Sequence, residues 1–209
     1  MVLKLPQGLY GLVDDSVRPE VPVPEKARWA LEGGASVLQL RLERTADPLA
    51  LRWIESVVGF SSVPVIINDR VDLCLVGRAS GVHLGTDDLP ISVARSLLGP
   101  DALIGATVRN LDEIVRAQAH GADHVGLGPI FRTSTKVVDA PVLGVFGFRA
   151  IVARSPLPVV GIAGITLQTI GEVALAGATA AAVASDLFLA DDVVERARAL
   201  SRAFARHQQ

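Results

Sequence analysis

Cysteine, aromatic residues and an excess of charge of either sign are all scarce in this chain. Its one cysteine, Cys74, cannot form an internal disulfide, so the fold relies on packing and nothing asks for an oxidising compartment. Aromatic residues make up only 4% of the 209 residues, which leaves few platforms on which nucleic-acid bases could stack. The 20 Lys and Arg are offset by 22 Asp and Glu, and a net charge of −2 gives no basic field for a phosphodiester backbone. Long apolar runs are missing too. The longest uncharged stretch, 155–171, is broken by two prolines and three glycines and suits a buried core rather than a membrane span. The first residues include Lys4 and Pro6 and no small-residue cleavage site, so they do not read as a secretory signal. A half-apolar composition with 20% charge excludes disorder. The expectation is one soluble, cytoplasmic α/β domain over residues 1–209, without nucleic-acid or membrane partners.

Short apolar runs alternate with longer segments of helical period. Strands are predicted at 8–13, 36–41, 63–67, 81–84, 103–108, 124–127, 158–162 and 180–184. Most lack polar/apolar alternation, the mark of strands covered on both faces. Helices are predicted at 25–32, 48–58, 71–77, 91–98, 110–120, 145–153, 166–176 and 192–206, with Asp47 and Asn110 as N-caps. Gly34-Ala35-Ser36, Gly121-Ala122-Asp123 and Gly177-Ala178-Thr179 each join a helix to the next strand, where glycine ends the helix in the left-handed conformation. Eight strand-helix units of about 26 residues point to a (β/α)8 TIM barrel, with an open doubly wound sheet as the alternative.

Barrel chemistry gathers at the C-terminal ends of the strands, and here the polar residues do so. Gln39 and Arg41 end the second strand; Asn68 and Asp69 follow the third; His83 to Asp88 follow the fourth; Thr107 ends the fifth. The sixth opens into Gly128-Pro129-Ile130-Phe131-Arg132-Thr133-Ser134-Thr135-Lys136, the seventh into Gly164, and the eighth into Ser185-Asp186. Asp69 and Asp88 leave successive strands and are placed to share a hard divalent cation, Mg²⁺, with phosphate oxygens and water completing its shell. Read as structure alone, the same aspartates would cap helices. Thr133, Ser134, Thr135 and Lys136 offer hydroxyls and an ammonium to an anion, or form a solvated turn. Gly164 and Ser185 lie where barrels often bind phosphate, or merely give tight turns. His83, between Val82 and Leu84, reads as a packed strand histidine, and Cys74 as a small core residue.

Together these loops resemble the thiamine phosphate synthase family, and the resemblance runs along essentially the whole chain. Gly8-Leu9-Tyr10, Gln39-Leu40-Arg41, Asn68-Asp69-Arg70-Val71-Asp72-Leu73, Gly81-Val82-His83-Leu84-Gly85 and Asp88-Leu89-Pro90 carry it. The most specific parts are Gly128-Pro129-Ile130-Phe131, Thr133-Ser134-Thr135-Lys136 and Asp139-Ala140-Pro141. The resemblance implies a transferase that couples a hydroxymethylpyrimidine diphosphate to a thiazole phosphate and releases pyrophosphate. It implies Mg²⁺ on Asp69 and Asp88, and diphosphate contacts from Arg41, Asn68 and Lys136. Gln39 and Thr107 would lie by the pyrimidine. Thr133 and Thr135 would meet the thiazole, with Gly164, Ala184 and Ser185 around its phosphate. Arg41, Thr107 and Lys136 would be the catalytic groups, stabilising the departing pyrophosphate by charge and hydrogen bonds rather than by acid/base work.

The chain departs from the family pattern in several places, among them the stretch Val137-Val138-Asp139 and Thr107 in place of a serine. Glu43 stands where the family has a lysine, Thr86 where it has glutamine, and Ala163 where it has the first glycine of a pair. A thiazole tautomerase-like isomerase and a non-catalytic barrel that binds thiamine precursors are therefore the alternatives. Barrels of this kind commonly form homo-oligomers through their outer helices.

Overall fold

Runs of Val, Ile, Leu and Ala become the eight strands of a closed, all-parallel barrel in a computed structural model that describes residues 4–133 and 141–207. The strands are β1 (Gly8–Asp14), β2 (Val37–Arg41), β3 (Val65–Asn68), β4 (Gly81–Leu84), β5 (Leu103–Val108), β6 (His124–Leu127), β7 (Val159–Gly161) and β8 (Ala180–Val183). Each pairs with its neighbours in sequence order, and β1 closes on β8 through Gly8↔Ala180 to Gly11↔Val183. Around them lie α1 (Val23–Glu32), α2 (Asp47–Phe60), α3 (Val71–Val76), α4 (Ile91–Leu98), α5 (Leu111–Ala119), α6 (Gly144–Val152), α7 (Ile170–Leu175), α8 (Ser185–Phe188) and α9 (Val193–Ala205). The expected (β/α)8 architecture is therefore present. Among the described residues no helix is long and apolar enough to cross a membrane.

Three local expectations need correction. Asp47 is not an N-cap. Helix α2 starts at Asp47 with Ala46 as its cap, and the Asp47 carboxylate instead receives the Arg70 guanidinium at 2.9 and 3.1 Å. Helix α7 starts at Ile170 rather than 166, because the Thr169 hydroxyl accepts the Thr166 N–H in a preceding turn. The short α8 was not anticipated. Asn110 does cap α5, accepting from Glu113 N, while the Glu113 carboxylate accepts from Asn110 Nδ2 and from the backbone N of Arg109, one residue before the cap.

Strand residues alternate between two apolar layers. Leu9, Val13, Leu38, Leu40, Ile67, Val82, Ile104, Val125 and Val183 pack outward against the helices. Tyr10, Leu12, Val37, Ile66, Leu103, Val160, Ala180 and Ala182 fill the inside. With both faces apolar, the period-two signal vanishes from the sequence. It returns only near the strand C-termini, where inward positions turn polar: Gln39, Arg41, Asn68, His83 and Thr107.

Two imidazoles also occupy the interior. His83 and His124 lie with ring centroids 6.1 Å apart. Room for them comes from glycine: a Cβ on Gly105 would stand 2.4 Å from His124 Nε2 and 2.5 Å from His83 Nδ1. Neither nitrogen of His124 has a hydrogen-bond partner among the described residues. Burial pushes His83 down to about 3 and His124 down to about 4, with the neighbouring imidazole adding to the effect at His83. Both rings are therefore neutral in the folded chain where the unfolded chain begins to take up protons. As pH falls below about 6.5, each histidine removes stability at up to ~1.4 kcal/mol per pH unit until its folded value is reached. His124→Leu is expected to flatten the fall in urea stability between pH about 6 and about 4. An unchanged slope would show that His124 protonates freely in the folded chain.

Candidate active site

The inward polar positions and the loops beyond them line one cavity of about 590 Å³ at the C-terminal mouth of the barrel. It brings together Gln39, Arg41, Asn68, Asp69, Asp88, Thr107, Thr133, Gly164, Ala184 and Ser185. Thr135 and Lys136 lie outside the described residues.

On the β1–β3 side the groups are chained. The buried Tyr10 hydroxyl donates to Gln39 Oε1 at 2.9 Å, and Gln39 Nε2 donates to Asn68 Oδ1 at 2.7 Å. With its oxygen engaged, Asn68 keeps its amide N–H groups for a ligand. Burial holds the Tyr10 phenol well above its usual range, so it stays a proton donor. Arg41, the next inward residue after Gln39 on β2, lies with Nε 3.3 Å from Asp14 Oδ2 and Nη2 2.7 Å from Glu43 Oε1. Asp14 is itself fixed, accepting from the backbone and hydroxyl of Ser16. Beneath it, the fully buried Lys26 donates to the carbonyls of Asp14 and Val17, each at 2.7 Å. Burial lowers the Lys26 pKa, while Asp14 and Asp15 pull it back up.

Asp69 leaves β3 with φ +61°, a left-handed turn that a short polar side chain tolerates. Its amide is tied to the His83 carbonyl at 2.8 Å. The capping alternative for the two aspartates does not hold. Arg70 and Pro90 are the N-cap residues of α3 and α4, neither with a side-chain cap, while Asp88 Oδ2 accepts Gly85 N at 2.6 Å inside its own loop. The Asp69 carboxyl is pushed up to about 7, first by burial, then by direct contact with the Asp88 carboxylate; Glu43 adds to the rise and Arg41 opposes it. Two facing carboxylates at neutral pH call for a shared proton or a cation.

Across the mouth, Thr107 Oγ1 lies 2.9 Å from His83 Nε2. His83 is thus packed, as expected, yet it also reaches the cavity and sets the direction of the Thr107 hydroxyl, a role its apolar flanks concealed. The β6 and β7 loops lock together. Phe131 N donates to Ala163 O at 3.2 Å, and a Cβ on Gly164 (φ +67°) would stand 2.4 Å from the Arg132 carbonyl oxygen. Ala163 takes φ +76°, a conformation suited to glycine. Cys74 is core, its buried thiol 3.1 Å from the Gly81 carbonyl and pushed up to about 12 by burial.

Sequence alone assigns no role to Arg109, Arg132, Asp14 or Asp186, all on the cavity wall, although Arg132 and Asp186 stand in the strand-end loops named above. Arg109 sits two residues beyond Thr107, so extending the inward parity of β5 by one step finds it. Asp186 shows in the sequence only as a polar residue just beyond the end of β8, with nothing to point to its partners. Its carboxylate accepts Leu167 N at 3.1 Å and pairs with Arg196 at 3.4 Å, contacts that only the folded chain brings together.

A mouth lined by two abutting carboxylates, three arginines, amides and hydroxyls suits phosphorylated ligands handled with a divalent cation. Comparison with known proteins then decides the family. The family model described as thiamine monophosphate synthase matches residues 9–187. The chain belongs to the thiamine monophosphate synthase family. It is 51% identical over 203 residues to a thiamine-phosphate synthase of Myxococcus xanthus, spanning 96% of this chain and 93% of that one. A thiamine-phosphate synthase of Anaeromyxobacter dehalogenans is 41% identical, over 94% of this chain and 87% of the relative. Among solved structures, a thiamine phosphate pyrophosphorylase from Pyrococcus furiosus superposes with a TM-score of 0.89 at 33% identity, covering 97% of this chain and 98% of that one. Within the thiamine monophosphate synthase family, then, this member has a closed barrel, the Asp69–Asp88 pair and Glu43 beside Arg41.

Proposed function

We propose that this chain is a thiamine-phosphate synthase, a transferase coupling a hydroxymethylpyrimidine diphosphate to a thiazole phosphate. The C–O bond to the diphosphate breaks, the thiazole nitrogen forms the new C–N bond, and pyrophosphate leaves. The observation that carries this reading is the Asp69–Asp88 pair, whose burial and contact push the Asp69 carboxyl up to about 7 in a mouth where Arg41, Arg109, Arg132, amides and hydroxyls stand alongside Asp14, Asp87 and Asp186. The pair fits a divalent ion. Among the described residues no three His, Cys, Asp or Glu side chains gather into a full cage, whereas Mg²⁺ takes one or two carboxylates and fills its shell with phosphate and water. Asp69 and Asp88 would hold the ion, which supplies positive charge for the departing diphosphate.

The remaining work falls to the chain. Gln39, fixed by Tyr10, presents its amide to the pyrimidine, and Asn68 turns its amide N–H groups to the diphosphate. Arg41 and Lys136 stabilise negative charge on the leaving group, and Thr107, hydrogen-bonded to His83, presents its hydroxyl from the opposite wall. Thr133 and Thr135 would meet the thiazole, with Gly164, Ala184 and Ser185 around its phosphate. Arg109 and Arg132 add positive charge at the rim. The unpaired, buried Cys74 suits a reducing compartment, and we place the reaction in the cytoplasm.

Purified protein given both substrates and Mg²⁺ should form thiamine phosphate and pyrophosphate in equal amounts, and EDTA should stop it. Interconversion of thiazole isomers without coupling, or binding without turnover, would replace this reading.

A further inference from the structure

Of the three described arginines in the cavity, Arg41 is the most withdrawn, its side chain 15% exposed, and it already has two carboxylates. The two carboxylates differ in mobility. Asp14 is 10% exposed and pinned by Ser16. Glu43 is 57% exposed, and among the described residues its carboxylate pairs with Arg41 alone. Its backbone is nonetheless anchored, because Asp15 Oδ2 accepts from Arg44 N and from the Thr45 hydroxyl, both at 2.8 Å. The result is a swinging carboxylate on a fixed post. It lies against the guanidinium edge where a substrate anion would bind.

We propose that Glu43 is an internal competitor for Arg41, holding its Nη2 edge between turnovers, yielding it to the diphosphate, and retaking it as pyrophosphate leaves. The proposal rests on the reading that Arg41 meets the diphosphate. An ion pair with one exposed partner is weak enough to exchange for a multiply charged ligand. Each exchange nonetheless subtracts from that ligand's affinity. Substrate diphosphate and released pyrophosphate are loosened alike, so the effect falls on binding and product release and not on the bond-breaking step. Asp14 remains in place throughout, its carboxylate 3.3 Å from Arg41 Nε, and Glu43 sets how tightly the diphosphate is held rather than which ligand is chosen.

Calorimetric titration with Mg²⁺ and inorganic pyrophosphate tests this without turnover. Glu43→Gln should bind pyrophosphate about 5-fold more tightly than the parent, the scale set by losing one half-exposed ion pair. The product-inhibition constant and the KM for the pyrimidine diphosphate should fall by the same factor. In an Arg41→Met background the same change should alter affinity by less than about 2-fold, because the contested edge is gone. If Arg41→Met does not fold, Arg41→Lys, which lacks the two-edged guanidinium, provides the contrast. Unchanged affinity in Glu43→Gln overturns the proposal. So does equal tightening in both backgrounds, which would make Glu43 a diffuse negative charge. A parent that forms no thiamine phosphate sinks the functional reading while the titration still judges Glu43. A parent that forms it, with Glu43→Gln no tighter, sinks the proposal alone.

Discussion

Asp69→Asn is expected to lower turnover by about 10²- to 10³-fold, the scale on which enzymes lose a single well-placed charge-stabilising group. It should also remove most divalent-cation binding. The pH dependence gives a second and sharper test. Burial and the Asp88 carboxylate raise Asp69 from its ordinary 3.8 to about 7, so below that value a proton occupies the place a cation would take. Cation affinity of the parent should therefore climb as pH rises towards about 7 and level off beyond it. In the metal-free chain the sign for stability is opposite. The folded state binds a proton that the unfolded state has lost, so this group's contribution is full below about 4 and drains away as pH rises to about 7. Asp69→Asn should lack both trends. Magnesium titrations at pH 6 and 8 (bracketing the value of about 7) and urea unfolding across that window measure them. An asparagine variant that binds the cation as well as the parent would dismiss the carboxylate pair as the metal site.

Gly81→Ala should destabilise the fold by about 3 kcal/mol or more, lowering the melting temperature by roughly 6–12 °C for a chain of this size. Gly81 is in register with Leu103, and a Cβ there would stand 1.8 Å from the Leu103 carbonyl oxygen and 2.6 Å from its carbonyl carbon. Those are backbone atoms of the adjacent strand, so no rotamer change relieves the overlap and β4 must part from β5. Gly59→Ala in α2 is the matched control. Nothing lies within 4 Å of its Cβ, and the substitution should stabilise by about 0.4–1 kcal/mol through the unfolded chain. A Gly81→Ala protein that melts with the parent would mean that β4 and β5 do not meet in this register.

The barrel was legible because burial of both strand faces leaves a simple trace, apolar runs at regular spacing. β4, β5 and β6 match the sequence reading to the residue. Boundaries moved where a side chain competes with the backbone, as Thr169 does ahead of α7. The site was legible where polar residues interrupt an apolar strand end, as at Gln39, Arg41 and Thr107. It was hidden where a residue's environment is assembled from remote segments. His83 has only apolar neighbours in sequence, yet in the fold it meets Thr107 and His124. Glu43 showed in the sequence as a reversed charge, but its partner and the difference between it and Asp14 appear only when β1 and β2 are brought side by side.

β7 supplies three residues and meets β8 over just Val160↔Ala180 and Gly161↔Ala181. The wall is thinnest along this seam, and Gly164 and Ser185 stand on its two sides. A cylinder held shut by continuous pairing parts first where the fewest rungs must separate. Breathing would therefore widen the entrance between these two staves while the acidic couple beyond β3 and β4, on the far side of the circle, stays still.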